Sequence, residues 1–214
     1  CAPMKIQALE LAKCAKLADQ ISEILNLSPD IKQAFANTPR TIFAPSFADP
    51  FSLDAHPIDS GQWISSPLTV AKMTIALNAK NCDNVLEIGC GSGYQAAILS
   101  HLAHRIFSIE RIETLANTAK ARFKELGVNN VFVRFDDGNN GWSSYAPYDR
   151  ILLSCGCVSV PERLFSQLKD GGILVAPVGQ NQQQNIIKYT KFGDEITSQK
   201  LDVCEFVPLL SGRA

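Results

Sequence analysis

The sequence predicts an α/β fold: a doubly wound, mostly parallel sheet with an antiparallel edge strand, preceded by an N-terminal helical segment. Three observations predict it. Short apolar runs alternate with helical runs from residue 84 onward, the pattern of a parallel sheet covered on both faces. A glycine-rich turn, Gly89-Cys-Gly-Ser-Gly93, joins the first of these strands directly to a helix. The last two apolar runs are separated only by the turn-like Phe192-Gly-Asp194, so they close the sheet as an antiparallel pair.

The elements follow in order. Ile6, Leu9, Leu17, Ile21, Ile24 and Leu25 recur at helical spacing through the first 38 residues. Ser28-Pro29 opens a second helix, with Ser28 as N-cap and Pro29 at the first helical position, and Thr38-Pro39 closes it. Prolines 39, 45, 50 and 57 then mark an irregular segment up to Pro67, where another helix starts. Strands are predicted at Asn84–Ile88, Arg105–Ile109, Asn130–Arg134, Asp149–Leu153, Ile173–Ala176, Asn185–Lys191 and Asp202–Leu209. Helices are predicted at Ser92–His101, Ile112–Leu126 (stopped by Gly127) and Pro161–Leu168, with Gly171-Gly172 as a break before the next strand.

With 214 residues, 46% of them hydrophobic, the chain is long enough for one domain with a sizeable core. Residues 1–67 read as its helical and irregular N-terminal segment and 68–214 as its α/β core. Twenty Lys and Arg against 21 Asp and Glu leave a net charge of −1, which argues against a nucleic-acid partner held by phosphate contacts. No apolar run reaches the roughly 18 residues of a membrane span. Lys5, Lys13 and Lys16 interrupt the N-terminal stretch, which therefore lacks the h-region of a signal peptide. The chain begins at Cys1 and carries seven irregularly spaced cysteines with no CxxC pair. Reduced thiols, a cytoplasmic location and no metal site are expected.

The strongest local signal is VLEIGCGSGYQAAIL, residues 85–99. Glycines let the backbone turn tightly and approach a ligand, and the helix that follows presents free N–H groups to a carboxylate or phosphate. The next strand ends in Glu110, 110 − 89 = 21 residues after the first glycine, where an acidic side chain can accept from both hydroxyls of a ribose. A dinucleotide fingerprint would need a glycine at 94, and that position is Tyr94. There is no P-loop. The G-x-G-x-G spacing, preceded by Glu87, resembles the first motif of class I S-adenosylmethionine methyltransferases, a Rossmann-like fold. Asp136-Asp137-Gly138 after the third strand suits a contact to an adenine edge.

Further segments narrow the resemblance. AFANTPRTIFAP (34–45), GQWISSP (61–67), DDGNNGW (136–142), QLKDGGILVAPVG (167–179) and FVPL (206–209) occur in this order. Together they resemble the protein-L-isoaspartate O-methyltransferase family from about Ile31 to Leu210. The resemblance implies S-adenosylmethionine as cofactor and isoaspartyl-containing peptides and proteins as partners. It implies a repair reaction; a monomer is expected. It places Ser65 as the active-site serine and Ile64 beside it where the protein closes over the cofactor. It places Glu87, Gly89, Cys90, Gly91, Gly93, Glu110, Arg111, Asp137 and Gly138 around the cofactor. The sequence departs from the family at Asp59-Ser60, at Trp63 where a Thr is usual, and at Ser154-Cys-Gly-Cys157.

Methyl transfer to a carboxylate needs no strong general base, because the acceptor is already ionised at neutral pH. Ser65 would orient that carboxylate by donating a hydrogen bond; a Ser before a Ser-Pro also commonly forms a turn. Ser66 has no match in the family motif, so Ser66→Ala is expected to be nearly silent. His56 and Cys155 are candidate substrate contacts, whereas His101 and His104 read as surface residues. Cys155 and Cys157 read as small turn residues of a pocket wall. Two rival functions remain: a methyltransferase of the same fold with another acceptor, and a cofactor-binding protein without turnover.

Overall fold

A computed structural model describes residues 8–46, 48–180 and 183–214; Cys1 and Ile6 lie outside them. Two helices come first, α1 (Ala8–Leu25) and α2 (Pro29–Ala36). Ser28 caps α2 by accepting from Ile31 N–H, and Pro29 starts it. Leu17 and Ile21 of α1 are buried, but Leu9 and Ile24 are exposed, so the helix buries a narrower stripe than the periodicity suggested. The proline-rich stretch contains a small antiparallel hairpin, β1 (His56–Pro57) and β2 (Trp63–Ile64), with His56 opposite Ile64. Helix α3 (Pro67–Leu77) follows at once.

The main sheet holds seven strands: β3 (Asn84–Ile88), β4 (Arg105–Glu110), β5 (Val131–Phe135), β6 (Tyr148–Leu153), β7 (Leu168–Val178), β8 (Gln183–Phe192) and β9 (Glu195–Glu205). Their order is β5-β4-β3-β6-β7-β8-β9. The first five pair in parallel, and β8 and β9 add two antiparallel pairings at one edge. Helices α4 (Tyr94–Ser100), α5 (Glu113–Leu126) and α6 (Glu162–Ser166) link the parallel strands. Two predictions of boundaries move. The run to Leu168 is not helical throughout, because β7 begins at Leu168 and passes through Gly171 at φ +76°. The last strand is Glu195–Glu205 rather than Asp202–Leu209. Its side chains are exposed except Cys204, so no alternation of apolar residues marked it.

Both faces of the sheet are covered. Val85, Ile106, Leu152 and Val175 pack with Leu17, Ile21, Phe35, Met73, Leu77 and Ile98 on one side. Leu86, Ile88, Phe107, Ile109, Ile151, Leu153 and Leu174 pack with Tyr148 and Leu164 on the other. The chain leaves β3 toward β4 and β5, then crosses back to β6 on the other side of β3. A crevice therefore opens at the carboxyl ends of β3, β4 and β6, the place where such sheets bind ligands. Among the described residues, no helix is long and apolar enough to cross a membrane, and no group of three or more His, Cys, Asp or Glu could hold a metal ion.

Candidate active site

A cleft lies at that crevice, lined by Gly89, Gly91, Glu110, Arg111, Gly138 and Cys155, with Gln62 and Trp63 at its mouth. Its floor begins where β3 ends. Gly89 and Cys90 both donate backbone N–H groups to Ile109 O, at 2.8 and 3.1 Å, which locks the turn onto β4. Gly91 has φ +57°, and a Cβ there would meet nothing within 4 Å. Its left-handed backbone and the open space above it suit a ligand lying against the main chain. Gly93, at φ +96°, is tight instead: a Cβ would come 3.0 Å from Phe123. Gly91 thus leaves room for a ligand, whereas Gly93 is enclosed by packing. Helix α4 is only seven residues long, shorter than predicted.

Glu110 is 5% exposed. One carboxylate oxygen accepts from Gly91 N–H at 2.8 Å and the other from Ile112 N–H at 2.9 Å. A carboxylate offers about four lone-pair positions, so two remain for a diol. The same side chain fixes the glycine turn and faces the cleft. Arg111 also lines the cleft, and its Nε is buried with no hydrogen-bond partner.

Several candidate residues stand behind the wall rather than in it. Glu87 is fully buried. The alternation of β3 turns it away from Leu86 and Ile88, and Ser108 and Ser154 donate to its two oxygens at 2.6 and 2.9 Å. Burial raises its pKa to about 7 against the opposing hydrogen bonds. Glu87 meets the cleft only through Ser154, which does line it. The side chains of Ile64 and Cys90 are buried in the core around α3 and α4. Gly138 lines the cleft, and a Cβ there would collide with Ile88 at 2.4 Å. The Asp137 carboxylate is held by Asn139 N–H and Nδ2 at 2.9 Å and by Gly212 N–H at 3.0 Å. Partial burial pushes its pKa up, but these bonds and Arg111 outweigh it and hold the pKa below the usual range.

Ser65 is half-buried directly after β2. It is not among the cleft-lining residues, which reach Gln62 and Trp63 of the same segment. His56 faces Ile64 across the hairpin, with Nε2 buried and unpartnered. Ser66 is the N-cap of α3, accepting from Thr69 N–H at 3.2 Å. Its side chain therefore has a place in holding the start of α3. Cys155 packs against Gly89 and points its thiol at Ile88 O. Burial raises the pKa of both Cys155 and Cys157, so both are neutral near pH 7 and not activated nucleophiles. The six described cysteines are unpaired. His101 and His104 are exposed, the latter 2.9 Å from Asp83.

Sequence reasoning gave no site role to the outer wall. Val207, Pro208, Leu209 and Leu210 close the cleft, tied down by Gly156 N–H to Val207 O and Leu209 N–H to Gly156 O, each 2.7 Å. The available signal was the FVPL segment, an apolar run with a proline next to no predicted helix. The exposed Trp63, 53% accessible at the mouth, was visible only as a departure from a motif.

A family model described as protein-L-isoaspartate(D-aspartate) O-methyltransferase matches residues 13–214. A Helicobacter pylori (strain J99) protein-L-isoaspartate O-methyltransferase is 48% identical over 201 residues, covering 92% of this chain and 95% of that protein. A protein of the same name from Maricaulis maris is 48% identical over 183 residues, covering 85% and 86%. A solved protein-L-isoaspartate O-methyltransferase superposes with TM-score 0.82 at 26% identity over 90% of this chain, which spans 64% of that longer protein. A Plasmodium falciparum structure, described as a beta-aspartate methyltransferase in complex with S-adenosyl-L-homocysteine, shares the fold at TM-score 0.79 and 19% identity, covering 92% of this chain and 98% of the other. With a family model spanning almost its whole length and relatives near half-identical, this chain belongs to the protein-L-isoaspartate (D-aspartate) O-methyltransferase family.

Proposed function

We propose that this chain methylates the free α-carboxylate of L-isoaspartyl residues in damaged proteins and peptides, using S-adenosylmethionine. The carrying observation is the composition of one cleft. A glycine turn open to a ligand at Gly91 and a two-hydroxyl acceptor at Glu110 share it, and the Gln62–Trp63 segment that leads to Ser65 forms its mouth. The cradle at Gly91, which a side chain would fill, and the orphaned Arg111 Nε fit an adenosyl cofactor. Among the described residues, the lining holds no histidine or lysine, and an acceptor that is already an anion requires none.

When bound, S-adenosylmethionine would supply a sulfonium methyl group that passes in line to an oxygen anion, with the thioether sulfur as leaving group. The chain's own residues hold and orient. Gly89 and Gly91 let the main chain approach, Glu110 accepts from the ribose hydroxyls, and Gly138 leaves room at the adenine end. Ser65 donates a hydrogen bond that aims the acceptor carboxylate. The wall of Val207–Leu210 with Trp63 bounds the space in which acceptor and cofactor are brought together, and holding the two in near-attack geometry is a main source of rate when no covalent chemistry is asked of the protein.

We also infer one domain over 1–214, comprising the 1–67 segment and the 68–214 core, that works as a cytoplasmic monomer without nucleic acid. The net charge of −1 supports the last point. The charged residues Glu195, Lys200, Asp202 and Glu205 along the exposed edge strand β9 resist strand-to-strand association. The test of function is radiolabelled methyl transfer to an isoaspartyl peptide beside its normal aspartyl twin. A base-labile methyl ester on the isoaspartyl peptide alone is expected. Transfer to neither peptide, with tight cofactor binding, would leave a binding protein.

A further inference from the structure

Arg40 is 0% exposed, and its guanidinium has no carboxylate partner among the described residues. Its Nε donates to Pro50 O at 2.9 Å and its Nη2 to Ser65 O at 3.4 Å. Its Nη1 is buried with no partner at all. Its Cζ lies over the ring of Tyr94, 4.4 Å from the ring centre; Tyr94 is the first residue of α4 after the glycine turn. Glu10 comes near, but its carboxylate accepts from the backbone N–H groups of Arg40 and Thr41 and from the Thr41 hydroxyl, not from the guanidinium. Burial raises the pKa of both Tyr94 and Cys14, so neither supplies a negative charge near neutral pH.

An uncompensated buried cation costs several kcal/mol. A protein that needed only to tie Pro50 to Ser65 could use a neutral donor. Two backbone carbonyls and the face of Tyr94 offset part of that cost, no carboxylate among the described residues offsets the rest, and the anion that the proposed reaction brings beside Ser65 is the acceptor carboxylate. We propose that Arg40 is a positioning residue for the acceptor: it holds the Ser65 main chain through the Ser65 carbonyl and, through its charge, which no carboxylate among the described residues pairs, favours an anionic acceptor over a neutral one beside Ser65. This rests on the isoaspartyl reading above. Arg40 does not touch the reacting atoms. It acts through the peptide of Ser65, while its stack on Tyr94 sets that peptide relative to the glycine turn.

The test compares two peptides that differ in one group, an isoaspartyl peptide and its α-carboxamide analogue, by calorimetry in the presence of S-adenosylhomocysteine. Wild type should prefer the carboxylate by about tenfold or more, the scale of one charge-assisted interaction. Arg40→Lys should keep most of that ratio while turning over more slowly, because the charge stays and the fork is lost. Arg40→Met should bring the ratio to within about twofold, even where both affinities fall. A merely structural arginine would weaken both peptides equally and leave the ratio intact, which would overturn the proposal. Should Arg40→Met not fold, the other two proteins still decide: no preference in wild type, or none in Arg40→Lys, overturns it. Wild-type methyl transfer, measured separately, tells a failure of this proposal from a failure of the isoaspartyl reading.

Discussion

Glu110 holds Gly91 with one oxygen and Ile112 with the other while facing the cleft. Glu110→Ala should weaken S-adenosylhomocysteine binding roughly tenfold to 100-fold, about 1.5–3 kcal/mol for a charge-assisted acceptor; unchanged affinity by calorimetry would remove it from the site. Ser65→Ala should lower turnover about 10- to 1000-fold and spare cofactor affinity, since a positioned donor near the reacting group carries about 1.4–4 kcal/mol. Ser66→Ala should leave turnover near normal, as expected from the sequence, but lose about 0.5–2 kcal/mol of stability with the cap of α3. A parallel loss of cofactor binding and turnover in Ser65→Ala would assign Ser65 to the fold instead. Glu87 carries a pH effect. Its folded pKa, about 7, is above the unfolded value of 4.5, so the folded state binds the extra proton between these values. Stability should therefore fall as pH rises from 4.5 to 7, by about 1.4 kcal/mol per unit at most, and level off above. Glu87→Gln should flatten that slope in denaturant titrations across the window; an unchanged slope would place its origin elsewhere. Glu110 was legible in the sequence because its spacing from Gly89 is a property of one strand–helix–strand unit. The orientation of Glu87 was not, because it depends on which face of β3 the helices cover.

The glycine turn shows how element-level reading succeeds and fails. The strand before it, the strand after it and the αL stop of α5 at Gly127 lie where the apolar pattern put them. The tiny β1–β2 hairpin was invisible, because strands of two residues between prolines carry no periodicity. The β7 start and the β9 strand were misplaced for a shared reason: Gly171-Gly172 reads as a break, and a strand exposed on both faces shows no alternation. Gly91→Val should abolish cofactor binding while the protein still folds. Nothing crowds a Cβ there, but the left-handed backbone disfavours a β-branched residue and the side chain would fill the ligand's space. Calorimetry beside circular dichroism checks it; a folded variant that binds near wild-type strength would make the turn purely structural.

Across the whole molecule, the sheet order decides where chemistry can occur. The reversal at β3 opens the crevice, and six segments of chain line it, among them residues 62–63, 88–91 and 207–210. The sequence showed the middle segment as a motif and the first as a family-like loop. The last closed the wall through backbone bonds to Gly156 that no local pattern announces. A second groove lies away from these, between α5 and β5, lined by Lys120, Lys124, Phe132, Trp142 and Tyr145. It contains none of the residues assigned to cofactor or acceptor. The most direct test of the account is a crystal structure of the protein with S-adenosylhomocysteine and an isoaspartyl peptide. The account predicts the ribose hydroxyls on Glu110, the homocysteine along Gly89 and Gly91, and the acceptor carboxylate at the Ser65 hydroxyl. Density for either ligand in the α5–β5 groove, with the crevice empty, would contradict it.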